Sequence, residues 1–422
     1  MAKTPKPISV YGLGLGGVNL VKSPLHMEDN EVIQAQNAEP YRDRGVSGIR
    51  KRPAWRPINT GALSAIQGLV PVELAQGGAG DNLGSDGTTN DIPVSGTKGL
   101  VLVARNTHPA SAAWKYTVDG GTTWTTTTAL AKNIANNDHS AIVYQGRAFY
   151  AGESDNLGQI LCFDGKKEFE FCRLPFGPSS MQTGGADMNA VGMAMGLFFI
   201  SLNNGTTGRV FAVDPVTGGS SQVGGTFTTA NEIVVDVCAY AGRVWICTNN
   251  DNTKAANIYS IRYGVDTAWT TERTTTNLGG GNYRNYNSIA TKGGYLYAAT
   301  SAPAGFAAVI EKRAPDGTWT TELTAASSAA AGYYDVLTVW NGKLYAQQNY
   351  SNTVYSVVVQ NSIGSWASDK DMAAAGATST GYFLITPDLL FASGPPRVFT
   401  KNLSGTWSTS LSDASLTHGM LI

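Results

Sequence analysis

The stretch VVDVCAYAGRVWIC, residues 234–247, decides the fold. Two runs rich in β-branched, aromatic and small apolar residues flank Ala241-Gly242, the composition of two strands joined by a tight turn. The second run has a simple pattern: a glycine, one or two residues, an apolar residue, an aromatic, then a small or aliphatic residue. The pattern recurs as GLVLVA at 99–104, GRAFYA at 146–151, GLFFIS at 196–201, GYLYAA at 294–299, GKLYAQ at 342–347 and DLLFAS at 388–393. Its aromatic position holds Leu102, Tyr150, Phe199, Trp245, Tyr297, Tyr345 and Phe391, with successive gaps of 48, 49, 46, 52, 48 and 46 residues. Self-similarity at a fixed period is the signature of a repeat architecture.

Each unit repeats more than this marker. A strand-like run precedes the glycine, as in SAIVY at 140–144 and DVLTVW at 335–340. After a polar loop comes another β-type run: QILCF at 159–163, RVFAV at 209–213, NIYSI at 257–261, AVIEK at 308–312, TVYSV at 353–357 and RVFTK at 397–401. A Gly or Asp turn and a tryptophan often close the unit, at Trp124, Trp269, Trp319, Trp366 and Trp407. Four short strands at a period near 48 make one propeller blade.

The expected architecture is therefore all-β: a seven-bladed β-propeller over 61–422 behind an N-terminal arm over 1–60. One blade cannot bury both of its faces alone, but stacking around an axis buries each against a neighbour. Tyr150, Phe199, Trp245, Tyr297, Tyr345 and Phe391 are expected to pack between blades, with the following Ala or Ile on the opposite face. The first blade is expected to open with AIQGLVPVEL at 65–74, and the Gly/Asn/Asp-rich insertion at 76–91 reads as an exposed loop. The tail LTHGMLI at 416–422 is expected to pair beside the first blade and lock the circle. Helical periodicity is confined to 27–38.

Composition agrees with such a fold. Charged residues are 14% of the 422, against roughly 25% in an average soluble protein, and Gly, Thr, Ser, Ala and Asn take their place. A formal net charge of −1 gives the whole chain no basic excess of the nucleic-acid-binding kind. No segment approaches the ~18 apolar residues of a membrane span, so no membrane insertion is expected. The opening MAKTPKPISVYGLG has lysines but no apolar run of the signal-peptide kind behind them. Cys162 with Cys172, and Cys238 with Cys247, read as buried thiols or as cross-strand disulfides. His26, His108, His139 and His418 are too scattered to suggest a metal site.

Motifs that look like chemistry have structural readings. GLGLGG at 12–17 satisfies a dinucleotide-binding pattern, but Pro24 follows closely and the βαβ context is missing, so no cofactor is expected. TVDGGTTW at 117–124 matches the Asp-box of sialidases and other propellers, in which Asp accepts turn amides, Gly supplies positive φ and Trp packs on the hairpin. Sialidase-like chemistry would need an arginine cluster, yet only Arg147 and Arg243 stand at equivalent strand starts. No G-x-S-x-G or P-loop is present, and nothing ionisable repeats where inner strands converge. The expectation is that the chain has no catalytic residue and is not an enzyme.

The one local charge feature is YRDRGVSGIRKRPAWR at 41–56, where Arg42, Arg44, Arg50, Lys51, Arg52 and Arg56 face Asp43 alone. Contact with nucleic acid, contact with an acidic neighbouring subunit, and a solvated arm with local pairing are all open readings.

The arm also carries a family resemblance. Gly16, Gly17, Val18 and Asn19, then Pro24, Asn37, Gly48, and Lys51-Arg52-Pro53 resemble the opening of bacteriophage tail proteins of the nozzle or tail-hub kind. The resemblance covers about 45 residues plus the architecture. It implies a virion structural protein made in the host cytoplasm. Such a protein assembles as a homo-oligomeric ring, a hexamer, around the exit channel for double-stranded DNA. Its partners would be portal-adaptor proteins, tail fibres or a tail tip. Nozzle proteins usually carry platform domains beside the propeller, whereas only arm plus propeller is expected here, which leaves open whether the protein forms the tube itself or decorates the tail or head. The alternative is a carbohydrate- or receptor-binding propeller, although the inter-strand loops ESDNLG at 153–158, NNDNTKAA at 249–256 and APAGFAA at 302–308 do not repeat.

Overall fold

The computed structural model describes residues 38–43, 46–51, 82–83, 92–93, 101–104, 114–126, 142–144, 147–152, 159–163, 168–174, 187–203, 208–227, 232–250, 253–325, 331–350, 353–386, 388–414 and 416. Among them are strands and turns and no α-helix. The chain divides into two units, Met1–Pro71 and Val72–Ile422. In the first, Ala38–Asp43 pairs antiparallel with Val46–Lys51 as a hairpin. Of the segment with helical periodicity, residue 38 opens this strand and 27–37 lie outside the described residues, as do 65–74.

The second unit is a series of antiparallel meanders in chain order. A three-stranded sheet spans 101–126, and four-stranded sheets span 142–173, 187–227, 233–274, 285–324, 332–371 and 383–412. Two of these share a ladder where Ser301 pairs with Tyr333. In the segment read as an exposed loop, Asn82–Leu83 pairs with Ile92–Pro93 as a short ladder.

Strand alternation sorts side chains between two buried faces. In Tyr295–Ala302, Leu296 and Ala298 pack with Trp245, Cys247 and Ile258 of the preceding sheet. Tyr297 and Ala299 pack with Tyr334, Leu344 and Ala346 of the following one. The same sorting puts Phe199 against the sheet after its own, and likewise Trp245 and Tyr345. All four are buried, as is Phe391, and burying each contributes roughly 2–3 kcal/mol. The residue after each, such as Ile200 or Ala392, faces the preceding sheet. Tyr150 lies in Arg147–Gly152, and its side chain is outside the described ones.

Each outer strand of the later sheets carries a β-bulge whose extra residue reaches the next sheet. Glu272 approaches Arg313 at 3.8 Å, Glu322 accepts from Gln360 at 2.9 Å while pairing with Lys312 of its own sheet at 2.8 Å, and Asp369 meets Lys401 at 2.5 Å. Arg313 and Lys401 also lie over the marker rings of the preceding sheets, 4.9 Å from Trp245 and 5.0 Å from Tyr345.

The closing tryptophans correct a sequence expectation. They reach back to the preceding sheet and do not simply cover their own hairpins. Trp269 Nε1 donates to the Val223 carbonyl (3.0 Å) and Trp407 Nε1 to Asp369 Oδ2 (2.8 Å). Arg273 of the preceding sheet lies 5.8 Å over Trp319. Gly224, at φ +63°, leaves room for the Trp269 ring, which a Cβ there would overlap. The Asp-box tryptophan, Trp124, donates to Ser410 Oγ of the last sheet at 2.8 Å. Lys115 of the first sheet pairs with Asp413 at 3.1 Å. Leu416, from the tail expected to close the circle, is buried with Phe391, Val398 and Leu411 against Trp124; residues 417–422 lie outside the described ones.

Candidate functional site in the first strands

The first strands of successive sheets lie against one another: Asp187–Ala194, Ile233–Tyr240, Asn285–Lys292 and Gly332–Trp340. Each contains a bulge, so its pairing slips and one side chain turns out of the alternating pattern. In the last three of these strands, polar groups at or beside the slips tie a sheet to the next.

Asp236 is the best connected. Its Oδ2 accepts from Ser288 Oγ (2.6 Å) and the Ile289 amide (2.9 Å), and its Oδ1 accepts from the Val237 amide (2.7 Å). Ser288 Oγ in turn accepts from the Leu337 amide at 3.1 Å, extending the chain to a third sheet. Asn287 Nδ2 donates to the Tyr334 carbonyl at 3.1 Å. Asp335 accepts from the Thr380 hydroxyl, ahead of the last sheet. Beside it, Gln347 accepts from the Gly381 amide (2.7 Å) and donates to the Tyr382 carbonyl (3.0 Å).

Asp236 and Asp335 retain some accessible surface but sit deep among protein atoms. Burial pushes the Asp236 carboxyl up to about 6, against the opposing hydrogen bonds from Ser288 and the two amides. Burial pushes Asp335 up to about 7, against the Thr380 hydrogen bond. Burial and the Asp335 charge raise Tyr333 to about 12. Carboxyl groups that exchange protons near neutrality are the kind that acid–base chemistry uses.

Asp236 and Asp335 do not repeat at equivalent positions, and the sequence reading did not single them out. Their signal was an Asp inside an apolar run, in VVDVCAY and again in DVLTVW. It escaped the repeat because the two occupy neighbouring, not equivalent, positions relative to the markers at Trp245 and Tyr345.

Other sequence-derived candidates are placed as follows. Arg42 pairs in register with Ser47, Arg50 with Glu39 and Lys51 with Ala38; Arg44, Arg52 and Arg56 lie outside the described residues, as does the glycine-rich 12–17. In the Asp-box, Asp119 accepts from the Thr117 hydroxyl (2.7 Å), the Thr122 amide (2.9 Å), and the amide (3.0 Å) and hydroxyl (2.6 Å) of Thr123. Desolvation opposes ionisation there, but these hydrogen bonds outweigh it and hold the carboxyl below its usual range. Arg243 donates to Ser260 Oγ at 3.0 Å. The four cysteines are free thiols. Among the described residues no group of three or more His, Cys, Asp and Glu could hold a metal, and no helix is long and apolar enough to cross a membrane.

No family model matches the sequence, and no curated protein does. Solved structures do resemble it. A protein of Lactobacillus plantarum is similar at 14% identity and a TM-score of 0.56, over 77% of this chain and 99% of its own. A candidate 6-phosphogluconolactonase of Bacteroides uniformis is similar at 12% identity and a TM-score of 0.51, over 76% and 99%. The expectation that the chain is not an enzyme is corrected by the second likeness: this fold is shared with a protein described as an enzyme, so lack of a familiar motif does not exclude catalysis. The meanders, their face-to-face packing and these likenesses together make the chain an all-β protein with a fold of the β-propeller type.

Proposed function

We propose that this chain is a structural protein of a bacteriophage tail, of the nozzle or hub kind, whose copies form a ring around the DNA exit channel. The observation that carries this reading is the arm motif, from Gly16-Gly17-Val18-Asn19 to Lys51-Arg52-Pro53, standing directly ahead of a propeller-type fold. Counting the three-stranded sheet with the six four-stranded ones supports a propeller of seven blades. The ties from Trp124 to Ser410 and Lys115 to Asp413 support its closure, last blade to first. Neighbours would be portal-adaptor proteins on one side and fibres or a tip on the other. The test is the native mass of the purified full chain together with its symmetry in micrographs. Six-fold rings agree with the proposal; a strict monomer at micromolar concentration sinks it.

A second reading has its own observation. Asp335, which sits within the first strand Gly332–Trp340 beside Thr380 and keeps its proton up to about 7, would serve as general acid or base for a small ligand. Lactone hydrolysis assayed with the wild type and Asp335→Asn tests it. Turnover lost in the variant supports this reading, and wild-type turnover at the buffer rate removes it for that substrate class.

A further inference from the structure

We infer that one face of the propeller, built by the turns joining first to second and third to fourth strands, docks the basic hairpin of a second copy of this chain. The inference rests on the proposed homo-oligomer and names the surfaces that would hold it together.

Exposed apolar side chains are distributed unevenly. In an antiparallel meander the first-to-second and third-to-fourth turns lie at the same end. Among the described residues, eight of the nine exposed large apolar side chains lie at that end. The four most exposed each tip a third-to-fourth turn: Val216 (74%), Val265 (67%), Ile363 (55%) and Leu403 (54%). Val354, where a third strand begins, is the only one at the other end. Single exposed apolar residues are ordinary on a protein surface, but their segregation to one face is the mark of an interaction surface.

Charge names the occupant. The same turns carry carboxylates held in the ionised form. Asp214 accepts from the Thr217 and Val216 amides and Asp316 from the Thr318 amide, and these bonds keep both below the usual range. Asp119 is held likewise in the first sheet. Residues 72–422 contain 21 Lys and Arg against 26 Asp and Glu, whereas 1–71 contain nine against five. Five of those nine stand between 42 and 52, in and beside the hairpin Ala38–Lys51. Long cationic side chains can cover apolar tips with their stems while their heads reach carboxylates. A basic hairpin therefore complements these turns in both respects.

The test is sedimentation of the full chain across concentration and salt. Val216→Asp/Val265→Asp/Ile363→Asp and, separately, Arg50→Glu/Lys51→Glu/Arg52→Glu should each raise the dissociation constant at least tenfold. Val354→Asp should leave it unchanged, and salt should weaken the wild-type assembly. Adding Asp214→Lys/Asp316→Lys to the reversed hairpin should restore part of the affinity. Thermal midpoints distinguish lost docking from lost folding; if the triple turn variant unfolds early, Leu403→Asp alone replaces it. If the wild type forms rings that the turn and hairpin variants leave intact, this inference fails while the proposed function stands. A wild type that never associates overturns both.

Discussion

Trp124 Nε1 donates to Ser410 Oγ at 2.8 Å across 286 residues, and Ser410 Oγ in turn donates to the Gly121 carbonyl at 2.6 Å. The first described sheet is thereby joined to the last by the same arrangement that joins inner neighbours: a closing tryptophan reaching an outer-strand bulge. Asp369 receives Trp407 in this way, and Ser410 stands at the corresponding slip of its own strand. The Asp-box thus acts as one half of a joint between sheets, with Asp119 holding the turn that aims the indole.

The marker aromatics should dominate stability. Tyr297→Ala and Tyr345→Ala each empty a buried space between two sheets and should cost about 3–5 kcal/mol in chemical denaturation. Tyr297→Phe keeps the ring and loses only the contact of its hydroxyl with Gln360 at 3.3 Å, so it should cost less than about 1 kcal/mol.

Lys401 and Asp369 should behave as one unit. Their 2.5 Å pair is mostly enclosed, and Trp407 Nε1 shares the same carboxylate oxygen. Lys401→Met leaves that carboxylate without its cation and should cost about 3 kcal/mol. Adding Asp369→Asn, which keeps an acceptor for the indole, should recover most of the loss. Equilibrium unfolding of the two single variants and the double variant measures this coupling.

Stability should fall as pH rises through neutrality. Asp236 and Asp335 have folded values of about 6 and about 7, above the ordinary aspartate value of 3.8. For groups raised on folding, the contribution is fully present below the unfolded value and is lost as pH climbs through the folded one. Asp119 and Glu322 are shifted the opposite way, so their contributions disappear only in acid. Urea midpoints should therefore be higher at pH 5.5 than at pH 8, roughly the window these shifts define. The difference should shrink in Asp335→Asn.

The parts legible in the sequence were those that repeat in kind. Phe199, Trp245, Tyr297, Tyr345 and Phe391 recur because each of these buried positions between sheets takes a large ring at the same register, so their spacing exposes the repeat. The closing tryptophans were visible, but not their direction, since a hairpin and a neighbouring sheet both offer an indole its cover. The bulge residues Glu272, Glu322, Asp369 and Ser410 were hidden for two reasons. A bulge breaks the alternation by one residue, and each partner across the interface asks for a different chemistry: Arg313, Gln360, Lys401 and Trp124. Asp236 and Asp335 were hidden similarly, one facing Ser288 and the other Thr380.

Closure of the ring is tested most directly by a double-mutant cycle on Trp124→Phe and Ser410→Ala. Each single variant should cost about 1–2 kcal/mol, since each removes one side of a partly buried hydrogen bond. If the first and last sheets meet as described, the two losses should be non-additive, with a coupling of about 1 kcal/mol. Strictly additive losses, with no coupling across those 286 residues, would contradict a closed ring.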